Sequence, residues 1–194
     1  MVKNIVEIGM LCKEPLDYYL DLLKNNGINQ KMVLVTRDIY FYNKDINELK
    51  NLKESDIKHS CIRIRMCRKP GGKFRKFNIQ NCNMPGFKSE YRKWRLKSIE
   101  KKLLSNGYKP IIDTVKTDYQ YENGIQLQNV DDIGLLVFWD NPKYYDFNEE
   151  KQFDLLKKDL EKIGFDFVYP LGIDRLRTKI NNKLCFSKNQ SGWK

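Results

Sequence analysis

The sequence predicts an α+β fold, an eight-stranded antiparallel β-barrel that forms a tunnel, with about three helices on its outside. Eight stretches are rich in Val, Ile, Tyr and Phe and are bounded by Gly, Pro, Asn or Asp, which is typical of strands. Other segments have apolar residues at helical spacing. An eight-stranded barrel has an interior wide enough for its own side chains or for one small ligand.

Three amphipathic segments predict the helices, and each ends at a glycine that can stop a helix. These segments are residues 14–27, 91–107 and 148–164. In the first of them Leu16, Tyr19, Leu20 and Leu23 form one apolar stripe. Lysines cover the opposite faces of the three segments, so we expect each helix to pack on the sheet by one side only.

The predicted strands occupy most of the remaining chain. They are residues 4–12, 30–42, 60–67, 73–80, 86–94, 111–121, 124–130 and 135–140. A long polar insertion, residues 43–56, predicts a surface excursion with a short helix. A chain of 194 residues is expected to form one domain, here residues 1–194.

The chain is strongly basic, with 36 Lys and Arg against 25 Asp and Glu and a net charge of +11. This charge favours an anionic partner, whether a phosphate metabolite, nucleic acid or an acidic membrane surface. Five cysteines without a C-x-x-C pair, and a single histidine, argue against a zinc site and predict reduced thiols in a cytoplasmic protein. No apolar run approaches roughly 18 residues, so we expect no membrane span.

Charged residues alternate with apolar ones along several strands. In SCIRIRMC, residues 60–67, Arg63 and Arg65 lie on the face opposite Ile62, Ile64 and Met66. If the apolar faces pack under the helices, the charged faces point into the barrel. Further side chains expected there are Lys88, Arg92, Lys116, Glu7, Glu90, Asp118 and Asp140. Such a cavity would bind an anion and a hard cation such as Mg²⁺ or Mn²⁺, although an exposed face of a half-solvated sheet has the same pattern.

Five short motifs then occur in an order that resembles the CYTH superfamily, the triphosphate tunnel metalloenzymes. The resemblance extends from about residue 4 to 180. The motifs are RDIYFY (37–42), CIRIR (61–65), KSEYR (88–92), VKTDYQY (115–121) and VDDIGLLVFWD (130–140). They resemble the D-x-Y-F, L-R-x-R, R-x-E-x-E, K-x-R-x-x-Y and V-x-x-L-G-x-F-x-E-x-E segments of that family, which includes class IV adenylyl cyclases, thiamine triphosphatases and inorganic triphosphatases.

The resemblance implies a tunnel in which basic residues bind a triphosphate and glutamates hold a divalent metal. The phosphate-binding residues that it implies here are Arg63, Arg65, Lys88, Lys116 and Arg92. The metal ligands would be Glu7, Glu90 and Asp140, holding one Mg²⁺ or Mn²⁺, and Glu7 or Glu90 would serve as the catalytic base. The implied activity is metal-dependent phosphohydrolysis or adenylate cyclisation of a small-molecule triphosphate.

The sequence departs from the family where the carboxylates pair. Gly9, Leu11, Phe138, Arg92 and Asp118 replace family residues, so each acidic pair keeps one carboxylate. We therefore expect a metal site weaker than one with paired carboxylates. The alternative to metal-dependent activity is a protein that has lost catalysis and binds a phosphate ligand or an RNA 5′ end. General nucleic-acid binding, supported by the net charge and the run WRLKSIEKK, is less favoured. Association into a homodimer is left open.

Overall fold

The computed structural model describes residues 6–52, 56–57, 60–82, 88–131 and 133–170. Within these ranges the chain forms nine β-strands and four α-helices. The strands are β1 Ile8–Cys12, β2 Gln30–Tyr42, β3 Cys61–Arg68, β4 Lys76–Asn81, β5 Lys88–Arg92, β6 Lys109–Tyr121, β7 Gln126–Val130, β8 Gly134–Trp139 and β9 Phe167–Pro170. The helices are α1 Leu16–Asn25, α2 Ile46–Lys50, α3 Leu96–Ser105 and α4 Glu149–Ile163.

The strands form an antiparallel sheet, which confirms the predicted α+β class. Hydrogen-bonded neighbours follow the order β5-β4-β3-β2-β6-β7-β8-β1-β9. Two details differ from the prediction: the sheet has one additional strand, nine in all, and along the described residues its order ends at β5 and β9 without closing into a barrel. The additional strand, β9, has four residues and ends at Pro170, so it is too short to show alternation and is suited to a sheet edge.

The three predicted helices are confirmed as α1, α3 and α4, and the short helix predicted within residues 43–56 is α2. Helix α2 begins with a capping box, in which the Asp45 side chain accepts from the Glu48 backbone N–H and Glu48 in turn accepts from the Asp45 N–H. No helix in the described part of the chain has the length and apolar character needed to cross a membrane.

The chain divides into two compact units, each made of separate stretches of sequence. The described residues of the first unit are 6–33, 117–130 and 134–170, and those of the second are the rest of the described chain. The expectation of one domain over residues 1–194 stays a prediction.

In the first unit, the core lies between the strands and helices α1 and α4. Leu135, Val137 and Trp139 of β8 pack in this core, as the apolar alternation of that strand predicts. Helix α4 contributes Leu156 and Leu160, two residues of its predicted apolar stripe. The other face of β8 and β1 is therefore turned away from these helices.

In the second unit, two apolar clusters lie on opposite faces of the strands. One cluster joins Ile64 and Met66 of β3 to the stripe of α3, whose Leu96 and Ile99 pack against it. The apolar face of SCIRIRMC thus packs under a helix, as predicted, and its arginines lie on the opposite face. The second cluster, on that opposite face, includes Tyr42, Leu49, Cys61 and Ile112.

Candidate functional site

Polar side chains share the face of β2, β3, β4 and β5 that is turned away from α3. The antiparallel register sets them in rows across the strands, because directly opposite residues lie on the same face. The pairs are Asp38 with Arg65, Tyr40 with Arg63, Arg63 with Gln80, Arg65 with Asn78, Asn78 with Glu90, and Lys76 with Arg92. We call this set of residues the basic face.

Arg65 is held by a carboxylate directly across the sheet. Its Nε donates to Asp38 Oδ1 at 2.7 Å and its terminal NH2 donates to Oδ2 at 2.6 Å, which is a bidentate pair. The Asp38 side chain is only 3% exposed, whereas that of Arg65 is 29% exposed. Burial lowers the pKa of Arg65, but the hydrogen bonds and charge of Asp38 raise it more, so the net pKa lies above its usual value. Arg65 is therefore a charged and rigidly oriented group.

Arg63, the next residue on this face, has no carboxylate partner among the residues that the structure describes. Its NH2 donates to Gln80 Oε1, an uncharged acceptor. Its Nε is buried and has no hydrogen-bond partner in the described part of the chain. A buried donor without an acceptor is costly, and it is expected only where a ligand or water completes the bond.

Strand β6 adds a third group to the same side of the second unit. Ile112 packs with Tyr42 and Cys61, and Thr114 and Lys116 follow on the same face of the strand by alternation. Lys116 is buried, with 8% of its surface exposed. The Thr114 Oγ1 hydroxyl is buried and, among the described residues, has no hydrogen-bond partner.

Strand β5 adds Glu90 and Arg92 to the basic face. Glu90 accepts from Lys76 Nζ at 2.8 Å, and both side chains are more than half exposed. The register sets Arg92 opposite Lys76 and the backbone of Lys88 opposite Gln80. Four of the predicted phosphate-binding residues, Arg63, Arg65, Arg92 and Lys116, thus lie on one side of the second unit, and the Lys88 side chain lies outside the described part of the structure. On the basic face, four cations (Arg63, Arg65, Lys76, Arg92) exceed two carboxylates (Asp38, Glu90).

In the first unit, Glu7 and Asp140 lie at the ends of neighbouring strands. Ile8 pairs with Trp139, and this register continued by one residue sets Glu7 opposite Asp140. The Asp140 Oδ2 atom accepts from Tyr145 Oη at 2.5 Å, and this hydrogen bond raises the pKa of Tyr145. Their neighbours on this face of β1 and β8 are Gly9, Leu11, Leu136 and Phe138.

The predicted metal ligands are divided between the units, with Glu7 and Asp140 in the first and Glu90 in the second. The described residues contain no group of three or more His, Cys, Asp or Glu side chains that could hold a metal ion. Glu7 and Asp140 are two carboxylates, and two is a number that Mg²⁺ commonly uses beside substrate phosphates. A three-carboxylate site with Glu90 stays a prediction.

Sequence reasoning did not assign a role to Asp38 or Gln80. Asp38 belongs to the RDIYFY motif, and both residues alternate in step with Arg63 and Arg65 once the strands are aligned. The signal that could have found Asp38 is strand alternation, which places it on the same face of β2 as Tyr40 and Tyr42. Across from them, Arg65, Arg63 and Cys61 share the matching face of β3.

Comparisons with known proteins agree on the fold. No family profile and no curated protein matches the sequence. Among solved structures, the PH1819 protein of Pyrococcus horikoshii OT3 aligns with a TM-score of 0.58 and 14% identity, over 94% of this chain and 99% of its own. The PH1012 protein of the same organism aligns with a TM-score of 0.55 and 15% identity, over 87% and 98% of the two chains. A conserved hypothetical protein of Pyrococcus furiosus aligns with a TM-score of 0.55 and 15% identity, over 87% and 99%.

At this level of identity the alignments show a shared fold. The motifs resemble the CYTH superfamily in their order along the chain, and the alignments extend over almost the whole length of both partners. The alignments therefore show that this chain shares the fold of these proteins, and the resemblance of its motifs to the CYTH superfamily stays a prediction.

Proposed function

We propose that the protein binds a triphosphate, either inorganic or attached to a small organic group, on the basic face of its second unit. The observation that supports this most directly concerns Arg63: within the described part of the chain, its guanidinium has no carboxylate partner and its buried Nε has no hydrogen-bond acceptor. Phosphate oxygens are its natural acceptors, because guanidinium N–H groups match them in pairs.

The two arginines have enough free donors for a phosphate chain. A guanidinium has five N–H groups. Asp38 uses two of those of Arg65, and Gln80 uses one of those of Arg63. The remaining N–H groups of both side chains are available on the basic face. A single phosphate could not accept from all of these N–H groups, whereas a triphosphate offers oxygens to several cations at once.

Asp38 makes Arg65 a directional donor. The carboxylate fixes the plane of the guanidinium before any ligand arrives, so little side-chain entropy is lost on binding. It also cancels most of the Arg65 charge, so Arg63, Arg92 and Lys116 supply the net attraction. Lys116 supplies that charge from a largely buried position, where electrostatic interactions are screened less than at the surface.

A second candidate function is metal-dependent turnover of the bound triphosphate, by hydrolysis or by adenylate cyclisation. The register that sets Glu7 opposite Asp140 favours it. These two side chains would hold one Mg²⁺ or Mn²⁺, with Glu90 as a further ligand and Glu7 or Glu90 as the base. The ion would neutralise charge that develops on the phosphate oxygens.

The test is calorimetric titration of the protein with tripolyphosphate, ATP and thiamine triphosphate, each with and without Mg²⁺ or Mn²⁺. We expect Arg63→Gln to weaken binding by roughly 10-fold or more, since hydrogen bonds to charged groups contribute about 1.5–3 kcal/mol. Arg37→Gln is the matched control, because Arg37 lies on the same pair of strands but pairs with Asp113 on the opposite face.

Two results would decide between the candidates. Absence of binding to all three compounds would refute the binding proposal. Phosphate or pyrophosphate release that requires Mg²⁺ or Mn²⁺, and that is lost in Glu7→Gln, would establish turnover, whereas binding without release would identify a protein that binds without catalysis.

A further inference from the structure

Two cysteines face each other across neighbouring strands of the second unit. Cys61 is the first residue of β3, and Cys82 follows the last residue of β4. Ile62 pairs with Asn81, and the register continues outward because the Cys82 backbone N–H donates to the Cys61 carbonyl at 3.0 Å. Cα atoms of such hydrogen-bonded pairs are about 5.5 Å apart, inside the range of about 4.4–6.8 Å that a disulfide spans.

The two side chains also meet. The Cys61 thiol is hydrogen-bonded with that of Cys82, and this contact together with burial raises the pKa of Cys61. Cys61 is 1% exposed, while Cys82 is half-buried and packs against the same apolar cluster. Neither cysteine forms a disulfide in the structure. One member of the pair is thus accessible from solvent and the other lies directly behind it.

We propose that Cys61 and Cys82 are a redox pair, which a low-molecular-weight disulfide such as oxidised glutathione converts into a cross-strand disulfide. The Cys82 thiolate attacks one sulfur of the external disulfide and releases the first small thiol. The Cys61 thiolate then attacks the Cys82 sulfur of the mixed disulfide and releases the second. Two protein thiols lose two electrons and two protons, and one external disulfide becomes two thiols.

The order of attack follows from exposure and protonation. Cys82 is the accessible sulfur, whereas Cys61 stays protonated until the mixed disulfide has formed next to it. The product would join β3 to β4 two residue pairs beyond Arg63 and Gln80. Oxidation would therefore lock the pairing of these two strands at the end of the basic face.

Cys67 provides a matched control in the same strand. It is exposed, so it is open to the same reagent, but Thr36 lies opposite it and no cysteine does. Cys12 is buried in the first unit, and Cys185 lies outside the described residues.

The experiment incubates the reduced full-length protein with oxidised glutathione, counts thiols after denaturation and maps the disulfide by mass spectrometry. Of the five thiols, we expect those of Cys61 and Cys82 to be lost without retained glutathione and one peptide pair to link residues 61 and 82, while any mixed disulfide with glutathione is found on exposed Cys67. Cys67→Ser should still lose two thiols. Cys61→Ser should retain glutathione on Cys82, and Cys82→Ser should form no internal disulfide.

Several results would overturn the proposal. They are an unchanged thiol count, a stable mixed disulfide on wild-type Cys82, and a disulfide that links Cys67 or Cys185 to another residue. Mapping of the wild-type protein decides the question even if a serine variant does not fold.

Discussion

Arg65→Met is expected to destabilise the protein strongly, because it leaves the Asp38 carboxylate buried without its partner. The wild-type pair is bidentate, and the Asp38 side chain is 3% exposed. Removal of one partner of a buried ion pair costs about 3–5 kcal/mol. Since the Arg65 side chain is 29% exposed, some water reaches the pair, and we expect a loss near the lower end, about 3 kcal/mol.

The chain offers a control with the same chemistry and less burial. Arg37 and Asp113 form a second bidentate pair, with donor–acceptor distances of 2.8 and 2.5 Å. Their side chains are 39% and 46% exposed. Exposed ion pairs contribute roughly 0–1 kcal/mol, so Arg37→Met is expected to cost less than about 1 kcal/mol. The comparison therefore isolates burial as the cause of the difference.

The free energy of unfolding is measured by urea denaturation at pH 7 for the wild type, both single variants and the double variant Asp38→Asn/Arg65→Met. Since 1 kcal/mol shifts Tm by about 2–4 °C at this chain length, Arg65→Met should lower Tm by roughly 6–12 °C. The double variant should recover part of that loss, because no unpaired charge remains buried. Equal losses for Arg37→Met and Arg65→Met, or a double variant no more stable than Arg65→Met, would refute this reasoning.

Two further predictions concern the first unit. Gly164→Ala should lower the free energy of unfolding in urea by about 1–3 kcal/mol, because Gly164 has φ of +112° and an added Cβ would lie 2.9 Å from Leu22 Cδ1. The control is Gly27→Ala, which should cost less, since Gly27 has φ of +70° and nothing lies within 4 Å of an added Cβ. A larger loss for Gly27→Ala would contradict the contact between position 164 and Leu22. Burial raises the pKa of Cys12 to about 12, so native Cys12 should resist alkylation at pH 9 while exposed Cys67 reacts. The pKa of Cys12 in the folded protein lies above its ordinary value of 9.0. The stability gained by burying the neutral Cys12 thiol is therefore present below pH 9 and is lost as the pH rises toward 12.

Periodicity predicted the elements of the fold well, because each signal is local. The alternation of Ile62, Ile64 and Met66 predicted which face of β3 packs under α3. The apolar stripe of α3 predicted which side of that helix contacts the strand. Strand β9 was not predicted, since four residues are too few to distinguish a strand from a loop. It forms by pairing with β1, where Tyr169 aligns with Leu11, and such a long-range pairing has no local signature.

The candidate site was predicted only in part, because its contacts depend on strand register. Arg63 and Arg65 were expected to share a face, and they do. The partner of Arg65 is 27 residues away, and a shift of one residue between β2 and β3 would turn Asp38 to the other face. Likewise, the hydrogen bond from Tyr145 to Asp140 depends on a 3-10 turn at Pro142–Tyr144 that the strand pattern does not include.

The two arginines of SCIRIRMC therefore differ in what they can do for a ligand. Because Asp38 already neutralises the charge of Arg65, this guanidinium would orient a bound phosphate more than it would attract it. Arg63 has only Gln80, and a polyanion that accepts from its buried Nε would satisfy a donor that the described part of the chain leaves unpaired. One fixed and one unsatisfied guanidinium combine orientation with attraction, and this combination supports the proposal that a phosphate chain binds on this face.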